Sequence, residues 1–143
     1  MRRALLSVYD KAGVAAFALE LRRLEFELVA SGGTAQLLAD EGIPVIPLEE
    51  LTGFAEMLGH RVVTLHPAVH GGILARRDVP EDVADLAAHG IEPIDLVCVN
   101  LYPFERTVGR LDVEWDEAIE QIDVGGPALL RAAAKNHAHV IPV

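Results

Sequence analysis

The run Leu28-Val29-Ala30 breaks at Ser31-Gly32-Gly33-Thr34, and residues 35–42 return to helical spacing through Leu37 and Leu38. A chain that changes period so abruptly commits to a strand, a tight turn and a helix N-terminus. Such a turn leaves backbone N–H groups without intrahelical partners, and the helix dipole adds partial positive charge at the same point. It is a seat for a phosphate. Gly32 and Gly33 let the backbone approach an anion with no Cβ in the way, while Ser31 and Thr34 bring hydroxyl donors. The lysine that follows the second glycine of a Walker A loop is absent, and the same residues also serve as plain turn chemistry with Thr34 as an N-cap.

The same punctuation recurs along the chain. Residues 4–9 read as a first strand, residues 10–13 as a turn, and the spacing of Val14, Phe17, Ala18, Leu21 and Leu24 predicts a helix. Residues 25–30 form the second strand, and residues 45–48 a short extended segment whose proline suits a sheet edge. Residues 51–58 read as a short helix capped by Thr52, residues 61–66 as extended, and residues 68–78 as irregular. An amphipathic helix over residues 80–89 ends at Gly90, and residues 94–100 are an apolar strand of the buried central type. Residues 113–122 read as helical, Gly125-Gly126-Pro127 opens a last helix through Asn136, and residues 139–143 start another strand.

This alternation predicts a three-layer α/β/α domain around a mainly parallel sheet. In that architecture the turns leaving the strand C-termini gather at one edge, which here brings together residues 9–11, 31–34, 66–72 and 100–104.

The formal net charge of −10 and the absence of any Lys/Arg cluster argue against a nucleic-acid surface. A small phosphorylated ligand is still served by local cations, because distant carboxylates are screened over roughly 10 Å. The only lysines are Lys11 and Lys135, and both fall on segments that can face one ligand. With 143 residues and 51% hydrophobic content, residues 1–143 are expected to form one folded domain. No run of apolar residues is long enough to span a membrane, and Met1-Arg2-Arg3 leads straight into a strand, so a cytoplasmic protein without membrane contact is expected.

Cys98 lies in an apolar run and reads as a core thiol. His66 and His70 are separated by Pro67 and lack a fixed acidic partner, so they read as hydrogen-bonding groups at a site rim and no metal is expected. Trp115, among Asp112, Glu114, Asp116, Glu117 and Glu120, reads as an aromatic docked on the core from a solvated helix.

Several longer motifs carry a resemblance. They are Ser7-Val8-Tyr9-Asp10-Lys11, Ala30-Ser31-Gly32-Gly33-Thr34-Ala35, Leu51-Thr52-Gly53-Phe54, and the stretch from Thr64-Leu65-His66-Pro67 to Gly71-Gly72-Ile73-Leu74. To these are added Val99-Asn100-Leu101-Tyr102-Pro103-Phe104, Ile122-Asp123-Val124-Gly125-Gly126-Pro127 and Ala132-Ala133-Ala134-Lys135-Asn136-His137. Together they resemble the N-terminal domain of the bifunctional purine-biosynthesis enzymes that combine AICAR transformylase with IMP cyclohydrolase. The resemblance implies a methylglyoxal-synthase-like fold with five strands, and a transformylase domain that is absent from this chain. It also implies a homodimer and ring closure of 5-formyl-AICAR, a small nucleotide, to IMP without a cofactor.

By motif position, the resemblance makes Lys11, Ser31, Gly32, Gly33 and Thr34 the phosphate clamp, and Arg61 and Thr64 base-contacting groups. Asp123 becomes the acceptor of a proton from the attacking nitrogen, with Tyr102 beside it. Lys135 and the N–H groups at Gly125 and Gly126 become stabilisers of the oxyanion.

Two departures stand out. Val63 replaces the lysine of the family's Arg-Val-Lys, and Tyr9 stands where serine is common. Val63 is the feature that favours a non-catalytic domain binding phosphorylated effectors, like the regulatory domain of carbamoyl-phosphate synthetase. A methylglyoxal synthase is the other rival, sharing the phosphate turn but not the later motifs.

Overall fold

The computed structural model describes residues Met1–Val143. Five strands, β1 (Arg2–Val8), β2 (Phe26–Ala30), β3 (Ile46–Pro47), β4 (Leu96–Asn100) and β5 (Ile141–Pro142), pair in parallel in the order β3-β2-β1-β4-β5. The central strand is therefore β1, with β4 beside it. Both edge strands are two residues long and contain a proline, which has no N–H to offer a further strand.

Strand residues alternate between two cores, as the period of two requires. Ala4, Leu6, Leu28, Ala30 and Leu96 face α1 (Val14–Arg23) and α2 (Gly32–Asp40), which contribute Ala18, Leu21, Ala35 and Leu38. Leu5, Val29 and Val97 face the opposite layer. That layer is made by α3 (Leu48–Thr52), α4 (Pro67–Leu74) and the last helix, α8 (Gly125–Lys135), through Leu48, Val69, Ile73, Leu129 and Ala133. The expected three-layer α/β/α sandwich is the fold observed. Three more helices, α5 (Pro80–His89), α6 (Phe104–Val108) and α7 (Trp115–Glu120), complete the chain.

The sequence reading departs from the structure mainly between residues 51 and 78. Helix α3 starts earlier than expected and stops at Thr52, where Gly53 turns left-handed at φ 70°. Residues 61–66 form no strand, and the segment's only pairing is an antiparallel bridge between Met57 and Val62. The stretch expected to be irregular is instead α4. Pro67 supplies its first turn without needing an N–H, and the His66 ring caps it by accepting from the Ala68 N–H at 3.1 Å. Gly72 lets α4 press onto the chain, because a Cβ there would lie 2.8 Å from the Glu92 carbonyl oxygen.

Two further expectations need revision. Trp115 is 78% exposed rather than docked on the core, since α7 is only six residues long and buries none of them. Cys98 is half-buried against the core that holds α1 and α2, and burial pushes its thiol above the usual range.

Candidate functional site

Connections run outward from β1 through β2 to β3 on one side and from β4 to β5 on the other, so the strand order reverses between β1 and β4. Ligand sites of open α/β sheets form outside the strand C-termini at such a reversal. A cavity of about 560 Å³ opens there, lined by the ends of β1 and β4, the N-termini of α2 and α8, and the loop that carries Arg61 and Thr64.

One end of the cavity is built by α2. Ser31 holds the N-cap position with extended backbone, so Gly32 and Gly33 lie inside the first helical turn rather than in a turn before it. Their N–H groups find no acceptor in the protein. Lys11 stands over this turn, its Nζ 3.7 Å from where a Gly33 Cβ would lie, and donates to the carbonyls of Val8 at 3.2 Å and Tyr9 at 3.3 Å. Two donors and one cation therefore converge on a small volume. The Ser31 hydroxyl pairs with that of Ser7 at 2.8 Å. Thr34 behaves differently from the expected phosphate donor. It is buried, and its hydroxyl donates to the Val8 carbonyl and accepts from the Val8 N–H, so it ties the helix to β1 and has no donor left for a ligand.

The other end is built by α8. Asp123 accepts from the Gly126 N–H at 2.8 Å and from the Tyr102 N–H at 3.3 Å, which fixes its carboxylate at the helix start. The Gly125 N–H has no acceptor in the protein. Both glycines are sterically required: a Cβ on Gly125 would lie 2.7 Å from Thr64 Oγ1, and one on Gly126 2.6 Å from Asp123 Oδ2. Tyr102 packs edge-on against Tyr9 with ring centroids 5.3 Å apart. Partial burial, then the charge of Asp123 and the neighbouring Tyr9, push its phenol above the ordinary value of 10.0, so the ring presents a proton donor.

Residues 13–128 match the MGS-like domain family. This chain belongs to the MGS-like domain family. Curated relatives of this MGS-like domain are bifunctional purine biosynthesis proteins named PurH. It is 61% identical to that of Synechococcus elongatus over 97% of its own length and 58% identical to that of Lactiplantibacillus plantarum over 99%. The chain spans 27% and 28% of the length of those two relatives, about a quarter. Among solved structures, the crystal structure of ForH superposes with a TM-score of 0.87 at 40% identity, covering 100% of this chain and 72% of that one.

The loop wall of the MGS-like domain holds the remaining sequence candidates. Arg61 lines the cavity and reaches Glu120 across it at 3.6 Å. Thr64 packs against the start of α8, and Val63 sets an aliphatic side chain on the wall while resting against the core on the α8 side. Lys135 is not brought to the site. It is the last residue of α8, ten residues past Gly125 and so about 15 Å farther along the helix axis, and it does not line the cavity.

Asn100, Glu56 and His60 are among the cavity residues to which the sequence assigns no role. Asn100 ends β4 and accepts from the N–H groups of Tyr9 at 2.6 Å and Asp10 at 3.0 Å, while donating to the Asp10 carbonyl at 2.8 Å. It fixes the loop that presents Lys11. A polar residue closing an apolar strand was the available signal. Glu56 and His60 also line the cavity and share a 2.7 Å hydrogen bond, with nothing in their spacing to announce it. No group of three or more His, Cys, Asp or Glu side chains is arranged to hold a metal ion, and no helix is long and apolar enough to cross a membrane.

Proposed function

We propose that this domain is an IMP cyclohydrolase, closing the six-membered ring of 5-formyl-AICAR to IMP with release of water. The observation that carries the reading is the pair of glycine-opened helix N-termini facing one cavity, with Lys11 at one and Asp123 and Tyr102 at the other. The purine-biosynthesis role of its relatives supports it, and the cavity volume lies within the usual range for a small-molecule site.

In this reading the ribose phosphate rests on the Gly32 and Gly33 N–H groups and Lys11, and Arg61 and Thr64 contact the base. The carboxamide nitrogen is a weak nucleophile because its lone pair is shared with its carbonyl. Holding it against the formyl carbon supplies up to about 7–11 kcal/mol in ideal intramolecular cases. As the C–N bond forms, the formyl π pair moves onto oxygen. The Tyr102 phenol and the Gly125 N–H are the donors for that oxygen, where one preorganised hydrogen bond is worth about 3–4 kcal/mol. Asp123 takes one proton from the attacking nitrogen and returns it to the oxyanion; loss of the formamide N–H proton, delivered to the same oxygen, then forms the ring C=N bond as that oxygen departs as water. With Lys135 at the far end of α8, oxyanion stabilisation falls to Tyr102 and Gly125.

The same reading places the chain in the cytoplasm, as a homodimer, with a transformylase domain in the remainder of such proteins. The aliphatic Val63 favours one second reading, a domain that binds the nucleotide without turning it over. Mixing the purified chain with 5-formyl-AICAR and following IMP by absorbance, beside a Val63→Lys variant, decides between them. Turnover by the native chain supports the cyclohydrolase. Turnover by the lysine variant alone points to a ligand-binding form, and turnover by neither removes the activity.

A further inference from the structure

Residues 56–62 form a small device on the cavity wall. Met57 and Val62 exchange two backbone hydrogen bonds, at 3.0 and 3.2 Å, and the chain between them turns through three successive left-handed residues, Leu58, Gly59 and His60, at φ 56°, 61° and 70°. Left-handed backbone at a bulky residue persists only where its surroundings impose it. Here the turn brings the His60 ring back over Glu56, with His60 Nδ1 2.7 Å from Glu56 Oε2. A carboxylate only accepts, so Nδ1 carries the proton and Nε2 is left without a protein partner.

The pair stands beside the phosphate seat assigned above. Glu56 Oε2 lies 3.6 Å from where a Gly32 Cβ would be, and Lys11 Nζ lies 3.7 Å from the equivalent point on Gly33. A cation flanks one glycine of the seat and a carboxylate the other. The carboxylate opposes any anion placed there, and the opposition grows with the anion's charge. The remaining charged groups of the cavity are Arg61 and Glu120, which pair with each other, and Asp123 on α8.

We propose that Glu56 and His60 set the charge selectivity of the cavity: Glu56 repels highly charged ligands from the α2 seat, and His60 offsets enough of that repulsion for a monophosphate to bind. The pair thus selects nucleoside monophosphates over the corresponding diphosphates. This rests on the phosphate end of the proposed site, but not on the ring-closing chemistry.

Calorimetric titration of the native chain and of Glu56→Gln, His60→Gly and the double variant with IMP, IDP and inosine tests it. Glycine suits the left-handed backbone at position 60, and glutamine keeps the shape of Glu56, so neither variant threatens the fold. Glu56→Gln is expected to tighten IMP about threefold and IDP about tenfold while leaving inosine unchanged, and His60→Gly to weaken both nucleotides in the same order. The double variant should behave like Glu56→Gln alone.

Equal gains for IMP and IDP, or nucleotide affinities unchanged by Glu56→Gln, overturn the proposal. So does an equal loss from His60→Gly with and without Glu56, which would make the imidazole a direct phosphate ligand. Native binding of IMP with the expected pattern but no turnover of 5-formyl-AICAR leaves the selectivity standing and removes only the activity. Failure of every variant to bind either nucleotide removes both.

Discussion

The hydroxyl of Thr34 meets both backbone groups of Val8, donating to its carbonyl at 3.2 Å and accepting from its N–H at 3.3 Å. Helix α2 is thereby fastened by a side chain to the end of the central strand, and the seat at Gly32 and Gly33 is held in register with Lys11 on the following loop. The bond lies in the interior, with Thr34 only 2% exposed. Thr34→Val keeps the shape but takes the hydroxyl from the Val8 N–H and leaves the Val8 carbonyl to Lys11 alone, at a cost of about 1–3 kcal/mol. Urea denaturation should show that loss, and an unchanged midpoint would mean that water replaces the hydroxyl.

Asp123 has a structural and a chemical duty that one substitution separates. Asp123→Asn retains an oxygen to accept from the Gly126 N–H and loses the base. Turnover of 5-formyl-AICAR is expected to fall about 100-fold or more with KM nearly constant. A matching fall in IMP affinity would assign Asp123 to binding instead.

Lys135 supplies the contrasting case. Because α8 carries it away from the cavity, Lys135→Ala should leave kcat within about twofold of the native value, the range expected of a residue remote from the reacting atoms. A loss of tenfold or more in steady-state turnover would show that this lysine reaches the substrate after all.

Gly126→Ala places a methyl carbon 2.6 Å from Asp123 Oδ2 and 2.8 Å from Leu101 Cδ2, closer than atoms tolerate. Either the carboxylate or the helix start must move, and a shift near 1 Å costs roughly 100-fold in rate. Single-turnover kinetics should register this even where thermal melts show the domain still folded.

Tyr102 gives the reaction a pH signature. The active species is the phenol; burial and the charge of Asp123 oppose its ionisation and push it above 10.0, so the donor persists through neutral and mildly alkaline solution. A kcat profile should therefore show no decline from this group below about pH 10, the ordinary tyrosine value. Tyr102→Phe should lower kcat across the whole range, and an unaltered profile would remove the phenol from the mechanism.

Where sequence and structure agree, length, pattern and flanking turn residues all point to one element. The strands containing Leu5, Val29 and Val97 are apolar runs of strand length closed by turn residues, and that length together with the flanking turns favours strand over helix. The glycine pairs at 32–33 and 125–126 mark helix N-termini through the turn chemistry around them, whereas Gly71-Gly72 lies inside α4. The failures share a different cause. His66-Pro67 reads locally as the end of a strand, although a proline after a capping residue equally opens a helix, and the packing of Gly72 onto Glu92 decides for the helix. The motif assigns Lys135 to the site, and the rise of an unbroken helix takes it away from the cavity. Glu56 and His60 meet because three residues adopt left-handed backbone, a choice that Leu58 and His60 do not encode.

Pro47 and Pro142 stand at opposite borders of the sheet, each in a strand of two residues. Open parallel sheets carry an inherent hazard, since an unpaired border invites another chain to extend the ladder. With a missing amide on each of these strands, a further strand paired there finds one donor fewer for its ladder. Two residues remote from the cavity thus make each border a poorer template for lateral pairing.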